Sequence, residues 1–432
     1  MKILFLTHYY PPEVNAPASR TYEHCVRWAR AGHEVTVLTC APNCPDGVLF
    51  PGYRNRLWPQ TDVADGIRIV RVWTYLAPNA GTTRRIANYV SYMLSAVLAA
   101  LLLRRPDVIV ATSPQFFCGW AGVFVSWLKW RPLVLEIRDI WPESIRAVGA
   151  LQNRRLLRTL EMLEKWMYRA ATQIVAVGGG YRDEILKKAD VGERIAVITN
   201  GVDLERFCAS AVSRGQATEV GARRSEVADQ ALHDAIGPAF SVPPGRFVCS
   251  YVGTIGMAHG LEVVVRAARI LKDGGRDDVV FLIVGDGARR AGLAEEARQA
   301  GVEDRVLFTG RQPKERMPAI LAASNACLVH LRGCELFGTV IPSKIFEVMA
   351  MQRPIIMGVR GEAREIVLQA GAGLAMEPDS PESLVHCLEQ LAENPTLAVE
   401  LGRAGREFVT RHYDRDELAA RYLSLLQRVA GR

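Results

Sequence analysis

The feature that most constrains this chain is a rhythm. Short apolar runs, β-branched or leucine-rich, alternate with helical stretches, and the alternation occurs twice. In the first half, residues 2–6, 34–39, 67–73, 108–111, 133–137, 173–177 and 194–198 read as strands. Helices are expected between them at 21–31, 116–129 and 154–170. The second half repeats the order with strands at 247–252, 279–284, 306–308, 326–330 and 354–357. Strands apolar on both sides and separated by helices argue for a parallel sheet covered on both faces. At 432 residues the chain also exceeds what one core organises. The expected fold class is therefore α/β, with two Rossmann-like parallel-sheet domains.

The domains are expected at 1–205 and 246–410. Residues 206–245 read as a linker or insertion, rich in Ala, Ser, Gly, Arg and Glu from 209 onward and ending Pro243-Pro244-Gly245. A short helix is expected within it around 227–236. A last helix, inside 411–432, could dock on either domain.

Hydrophobic residues at 49% and charged residues at 23% give no sign of disorder or of a wholly membrane-embedded chain. The net charge of +7 is unevenly placed, because residues 1–205 carry all of it and the remainder balances. Nucleic acid or an anionic membrane could each match that asymmetry. No helix-turn-helix, zinc spacing or aromatic RNA-binding motif accompanies it, so no nucleic-acid partner is expected. Residues 86–103, IANYVSYMLSAVLAALLL, stand between Arg84, Arg85 and Arg104, Arg105. The run is slightly short of the ~20 apolar residues of a span, and Asn88, Ser91 and Ser95 interrupt it. A span would also separate two strand-like runs that look like members of one sheet. A buried or surface-docked helix is expected instead, its arginines leaning toward anionic lipid. Nine cysteines without metal-ligand spacing, odd in number, argue against a disulfide framework. The N-terminus MKILFLTHYY reads as a buried first strand and not as a secretion signal. A cytoplasmic location at the inner face of the membrane is expected.

Ligands of open parallel sheets sit beyond the carboxyl ends of the strands. The informative segments fall there: HYYPPEVNAPASR, RDIWPES, GTIGMAHG, GDG and IPSKIFE. The last says most. Pro342 and Ser343 end an extended stretch and start a helix, with Ser343 as a natural N-cap. Lys344 then occupies the first turn, where free N–H groups and the helix dipole favour an anion. Glu347 follows about one turn later, roughly 5–6 Å away along the same face. A diphosphate on the helix end and a sugar diol on the carboxylate would fit; ordinary helix capping would use the same residues.

Together with TNGVDLERF, YVGTIGMAHGLE, LIVGDG and SKIFEVMAMQRPII, these segments make the chain resemble the retaining nucleotide-sugar glycosyltransferases of family 4, nearly end to end. The resemblance implies the GT-B fold, two such domains facing across a cleft, with the final helix returning to the first. PPEVNAPASRTYE, RDIWPES and TVIPSKIFE look most like bacterial surface-polysaccharide transferases, particularly those handling N-acetylated deoxyhexoses such as fucosamine. It further implies that the second domain binds the donor, a UDP-sugar used as co-substrate. Glu347 would hold the ribose, and Lys344 with Ser343 the diphosphate. Gly253, Thr254 and Gly256 would admit backbone close to the phosphates. Gly285, Asp286 and Gly287 would form the next loop, for which a plain tight turn is the competing reading. Arg311 would contact base or phosphate, or else be an ordinary exposed arginine.

In the first domain, Arg138 and Asp139 stand where many relatives carry a histidine near the anomeric carbon. Asp139 would meet a sugar hydroxyl or the acceptor, and Arg138 the phosphates or Glu143; a structural Arg–Asp pair is the alternative. Tyr9, Pro12 and Asn15 would meet a lipid-linked or saccharide acceptor. His8 reads as a loop or core histidine.

Two departures from the family pattern matter. A second glutamate is common eight residues before Glu347, where this chain has Thr339, and Glu335 comes four residues too early. Arg and Lys are common in the loop read here as GTIGMAHG, which has Thr254 and His259. Cationic work should then fall on Lys344. No metal or other cofactor is expected, and Asp414-Arg415-Asp416 reads as a helix start. A UDP-sugar epimerase or hydrolase, or a non-catalytic member of a polysaccharide assembly, are the competing functions.

Overall fold

The structure, a computed structural model, describes residues 1–78, 82–113, 116–140, 154–208, 230, 232–234, 236–237 and 242–431. The chain forms two compact units, Met1–Asn200 with Asp416–Arg432, and Gly201–Arg415. Both are parallel-sheet α/β folds, as the alternating pattern predicts.

The first unit holds β1 (Lys2–Leu6), β2 (Glu34–Cys40), β3 (Gln60–Ala64), β4 (Ile67–Val72), β5 (Val108–Thr112), β6 (Leu133–Ile137), β7 (Gln173–Ala176) and β8 (Ile195–Val197). They lie in the order β3-β4-β2-β1-β5-β6-β7-β8. Every pair is parallel except β3–β4. β3 escapes the sequence reading because the strand is an exposed edge and has no buried face to imprint a period. Its turn was legible, however. Asp65 and Gly66 both have positive φ, the signature of a two-residue hairpin turn, and Asp-Gly is the dipeptide that favours it.

β4 and β5 belong to the same sheet, so the apolar helix Thr82–Leu102 that joins them is a crossover and not a span. The first helix runs Ala16–Arg30, starting earlier than the expected residue 21. The Asn15 carboxamide oxygen accepts from Ala18 N–H at 2.9 Å, and Pro17 sits in the first turn where its missing N–H costs nothing.

The last helix, Arg415–Ala430, completes the core of the first unit. Leu418, Tyr422 and Leu426 are buried among Ile3, Phe5 and Val35. The Trp28 indole N–H donates to Ala419 O at 3.0 Å, and the Tyr422 ring meets Trp28 edge-on at 5.2 Å.

The second unit orders its strands β11-β10-β9-β12-β13-β14, all parallel. They are β9 (Phe247–Val252), β10 (Val279–Val284), β11 (Val306–Gly310), β12 (Ala326–His330), β13 (Ile355–Gly358) and β14 (Gly373–Ala375). Of the expected linker, 209–229 and several later residues lie outside the described residues. Leu232 and Ile236 are described, buried against Val248 and Leu282.

Candidate functional site

Strand order directs attention to one corner of the second unit. β9 pairs β10 on one side and β12 on the other, so the crossovers after β9 and β12 leave in opposite directions. Such a switch point opens a crevice at the carboxyl edge. The loop after β9 carries Gly253, Thr254, Gly256 and His259; the segment after β12 leads to Lys344 and Glu347.

The side chains at this corner converge. The Lys344 ammonium lies 3.9 Å from the centroid of the Tyr251 ring, a cation–π contact. A Cβ on Gly253 would come within 2.7 Å of the same nitrogen, so only glycine leaves the lysine its place. The Tyr251 hydroxyl donates to Thr254 O at 2.7 Å and fixes the loop to its own strand. Burial pulls the Lys344 pKa down to about 7, and the Glu347 carboxylate opposes that shift. A desolvated cation with one carboxylate near it is a poor resting state and a good anion receptor.

Ser343 does not cap the helix Lys344–Ala350. Its φ of −58° and ψ of −21° are already helical and its side chain makes no capping bond. Proline fixes its own φ near the helical value, and the first turn closes early when Ile345 N–H donates to Pro342 O at 3.1 Å. Cationic attraction at this corner thus rests on Lys344 more than on a cap.

His259 is a scaffold group. Burial, and then Lys344, lower its pKa to about 4, so the ring is neutral near pH 7. Its Nδ1 accepts from Gly256 N–H at 3.3 Å, and its carbonyl accepts from His330 Nδ1 at 2.7 Å. Asp379 N–H donates to His330 Nε2 at 3.0 Å, which assigns the proton to Nδ1. His330 was not singled out from sequence, because a histidine ending an apolar strand carries no pattern of its own.

Gly285 and Gly287 answer to the neighbouring loop. A Cβ on Gly285 would meet Gly253 O at 1.9 Å, and one on Gly287 would meet Ile255 O at 2.5 Å. Ile255 N–H donates to Asp286 O at 3.0 Å, knitting the two loops. Exposed Asp286 accepts from the adjoining Gly287 N–H at 2.8 Å with its carboxylate. Thr254 and Arg311 are exposed. Thr339 ends the short turn Glu335–Thr339, whose Gly338 carbonyl lies against Gly361; a Cβ there would be 2.1 Å from it.

In the first unit, Arg138 and Asp139 follow β6 directly. Arg138 Nη1 is buried without a hydrogen-bond partner, and burial lowers its pKa to about 10 against the pull of Glu136. Glu136 is fully buried and paired with Arg20 at 3.2 Å. Arg20 also donates to Ile198 O, Thr199 O and Asn200 Oδ1, at 2.9, 2.8 and 3.0 Å. This network was invisible in sequence, since its members are 116 and 180 residues apart.

His8 is buried among Tyr9, Tyr89 and Tyr92, with ring centroids 4.9, 5.2 and 5.1 Å away, and burial lowers its pKa to about 4. That environment is a core and not a base. Tyr9 and Pro12 are half-buried, and the Asn15 oxygen is taken by its helix. Glu143 lies outside the described residues. Asp416 of the Asp-x-Asp triplet pairs with Arg27.

Comparison with known proteins bears on the family and the fold. Residues 236–408 match the model of "glycosyl transferases group 1", and residues 15–201 match a "glycosyl transferase 4-like domain". The chain belongs to the glycosyltransferases. WcaI of Escherichia coli K12, a glycosyl transferase named for colanic acid biosynthesis, is 25% identical over 98% of this transferase and 99% of its own length. Among solved structures, sucrose-phosphate synthase of Thermosynechococcus elongatus superposes with a TM-score of 0.74 at 17% identity, covering 99% of this chain and 98% of that one. Anabaena Alr3699/HepE, solved with UDP-glucose, gives 0.68 at 18% identity, covering 99% and 100%. These neighbours bear out the GT-B expectation for the fold.

Proposed function

We propose that this glycosyltransferase moves a sugar from a UDP-sugar to a lipid-linked or saccharide acceptor, with retention at the anomeric carbon, in bacterial surface-polysaccharide synthesis. The observation that carries the donor half is the Lys344 ammonium, desolvated at the switch point beside Gly253 and biased by Glu347. UDP as the nucleotide is supported by the UDP-glucose complex of HepE, and the polysaccharide role by the end-to-end likeness to WcaI. The resemblance to N-acetylfucosamine-type transferases favours an N-acetylated hexose or deoxyhexose.

Breaking the sugar–phosphate bond leaves negative charge on the diphosphate. An ammonium already aimed there stabilises that charge without reorganising, and losing such a group costs roughly 3–4 kcal/mol. Glu347 grips the ribose and orients the nucleotide. The acceptor hydroxyl attacks from the face the diphosphate leaves and passes its proton to a phosphate oxygen. In the first unit, Arg138 with its unpartnered Nη1 is the candidate for a phosphate contact, and Asp139 for a sugar or acceptor hydroxyl. Lysine takes the place a metal would fill, so EDTA should leave turnover intact.

Turnover of Lys344→Ala should fall about 100-fold or more. Turnover like that of the parent protein would overturn the assignment. Screening UDP-sugars for thermal stabilisation identifies the donor, since a binder raises the melting point by mass action.

A further inference from the structure

The helices Thr82–Leu102 and Phe116–Lys129 end together, and each carboxyl terminus is capped from the other side. Lys129 Nζ donates to Leu101 O and Leu103 O at 3.3 and 2.8 Å. Arg105 donates in return to Lys129 O and Trp130 O at 2.9 and 3.2 Å. Cations at the negative ends of both helix dipoles stabilise this corner.

The corner is apolar where water should be. Leu98, Leu102, Trp127 and Trp130 are 65%, 66%, 57% and 84% exposed. Trp130 also has φ of +52°. A left-handed residue just past a helix is usually glycine, and a bulky side chain there is strained. Backbone strain that presents an indole to solvent calls for a functional explanation.

Charge adds a second, independent observation. Residues 66–135 hold eight Lys or Arg and a single acidic residue, Asp107, and the cleft beside the corner is lined by Lys2, Arg68, Arg104 and Arg105 with one exposed carboxylate, Glu34. The Asp107 carboxylate is engaged by Lys2 N–H at 2.7 Å. Arg104 and Arg105 beside the apolar corner are exposed. A second copy of the chain would bring two surfaces of like charge together; anionic lipid would not.

We infer that this corner is a docking surface for an anionic phospholipid bilayer. The indoles and leucines enter the boundary between headgroups and acyl chains, and Arg104 and Arg105 meet lipid phosphates. The helices lie along the surface of the sheet and do not cross the bilayer. Because they end where β5 and β6 begin, the membrane meets the first unit at the amino edge of its sheet. The loop from His8 to Asn15 lies at the opposite, carboxyl edge.

The test needs no substrate. Full-length protein is sedimented with vesicles of phosphatidylcholine, with and without phosphatidylglycerol. Binding should be about 10-fold or more tighter with the anionic lipid and should weaken in high salt. Trp127→Ser with Trp130→Gly should lose about 10-fold or more of that binding. Glycine suits the left-handed backbone, so an unchanged melting point should show the fold intact. Should the pair fail to fold, Arg104→Glu at an exposed position should weaken anionic binding alone. Binding indifferent to phosphatidylglycerol or to these substitutions would overturn the proposal. So would a dimer that Trp130→Gly dissolves, because the face would then belong to a second copy.

Discussion

Lys344 is held in a state that its ligand should relieve. Its folded pKa near 7 lies below the ordinary lysine value of 10.5, so the unfolded chain binds more protons between those limits. Stability of the free protein should therefore gain from this residue as pH rises from 7 toward 10.5, by at most about 1.4 kcal/mol per pH unit. Below pH 7 the cost of the desolvated charge is constant. Lys344→Met should remove that slope and stabilise the free protein at neutral pH, as read by urea unfolding at pH 7 and 9. An unaltered slope would mean that the ammonium is solvated. A bound diphosphate restores the charge, so UDP titrated calorimetrically at pH 8 should take up a proton that Lys344→Met does not. Gly285→Ala tests the loops from the other side. Its Cβ would lie 1.9 Å from Gly253 O, and a loss of about 1–3 kcal/mol with weaker donor binding is expected. Lys344 and Glu347 stand out in sequence because IPSKIFE gathers a helix start, a cation and a carboxylate into one short pattern. Ser343 departs from the expected capping role because Pro342 O already accepts from Ile345 N–H. Tyr251 and His330 gave no signal, since their roles arise from neighbours distant in the chain.

Elements depend on contacts that pattern reading reaches only in part. The buried Arg20–Glu136 pair joins the first helix to β6 and to the turn Ile198–Asn200. Arg20→Met breaks the buried ion pair and leaves Glu136 the Thr112 hydroxyl at 2.9 Å and the attraction of Arg138, which should cost about 3–5 kcal/mol in urea unfolding. A cost under about 1 kcal/mol would show that water reaches the carboxylate. Strands with two buried faces were found from their apolar runs, and β3 was not because nothing buries it. The first helix starts ahead of its expected residue because HYYPPEVNAPASR reads as loop, although Asn15 and Pro17 together are a start signal.

At the scale of the molecule, two parallel sheets were foreseeable because each strand advertises burial on both faces. Return of the chain to its first unit was not legible from the final helix alone, whose apolar face would suit either sheet. Its anchor is Tyr422 against Trp28, and Tyr422→Ala should destabilise the first unit by about 3–5 kcal/mol in thermal or urea melts. The strand order then accounts for the proposed donor corner, where the β9 and β12 crossovers diverge beside Lys344. A crystal structure of the protein with UDP tests this most directly. The account predicts diphosphate oxygens on Lys344 Nζ and the ribose hydroxyls on Glu347. Nucleotide bound elsewhere, with the ammonium still facing only Tyr251, would contradict it.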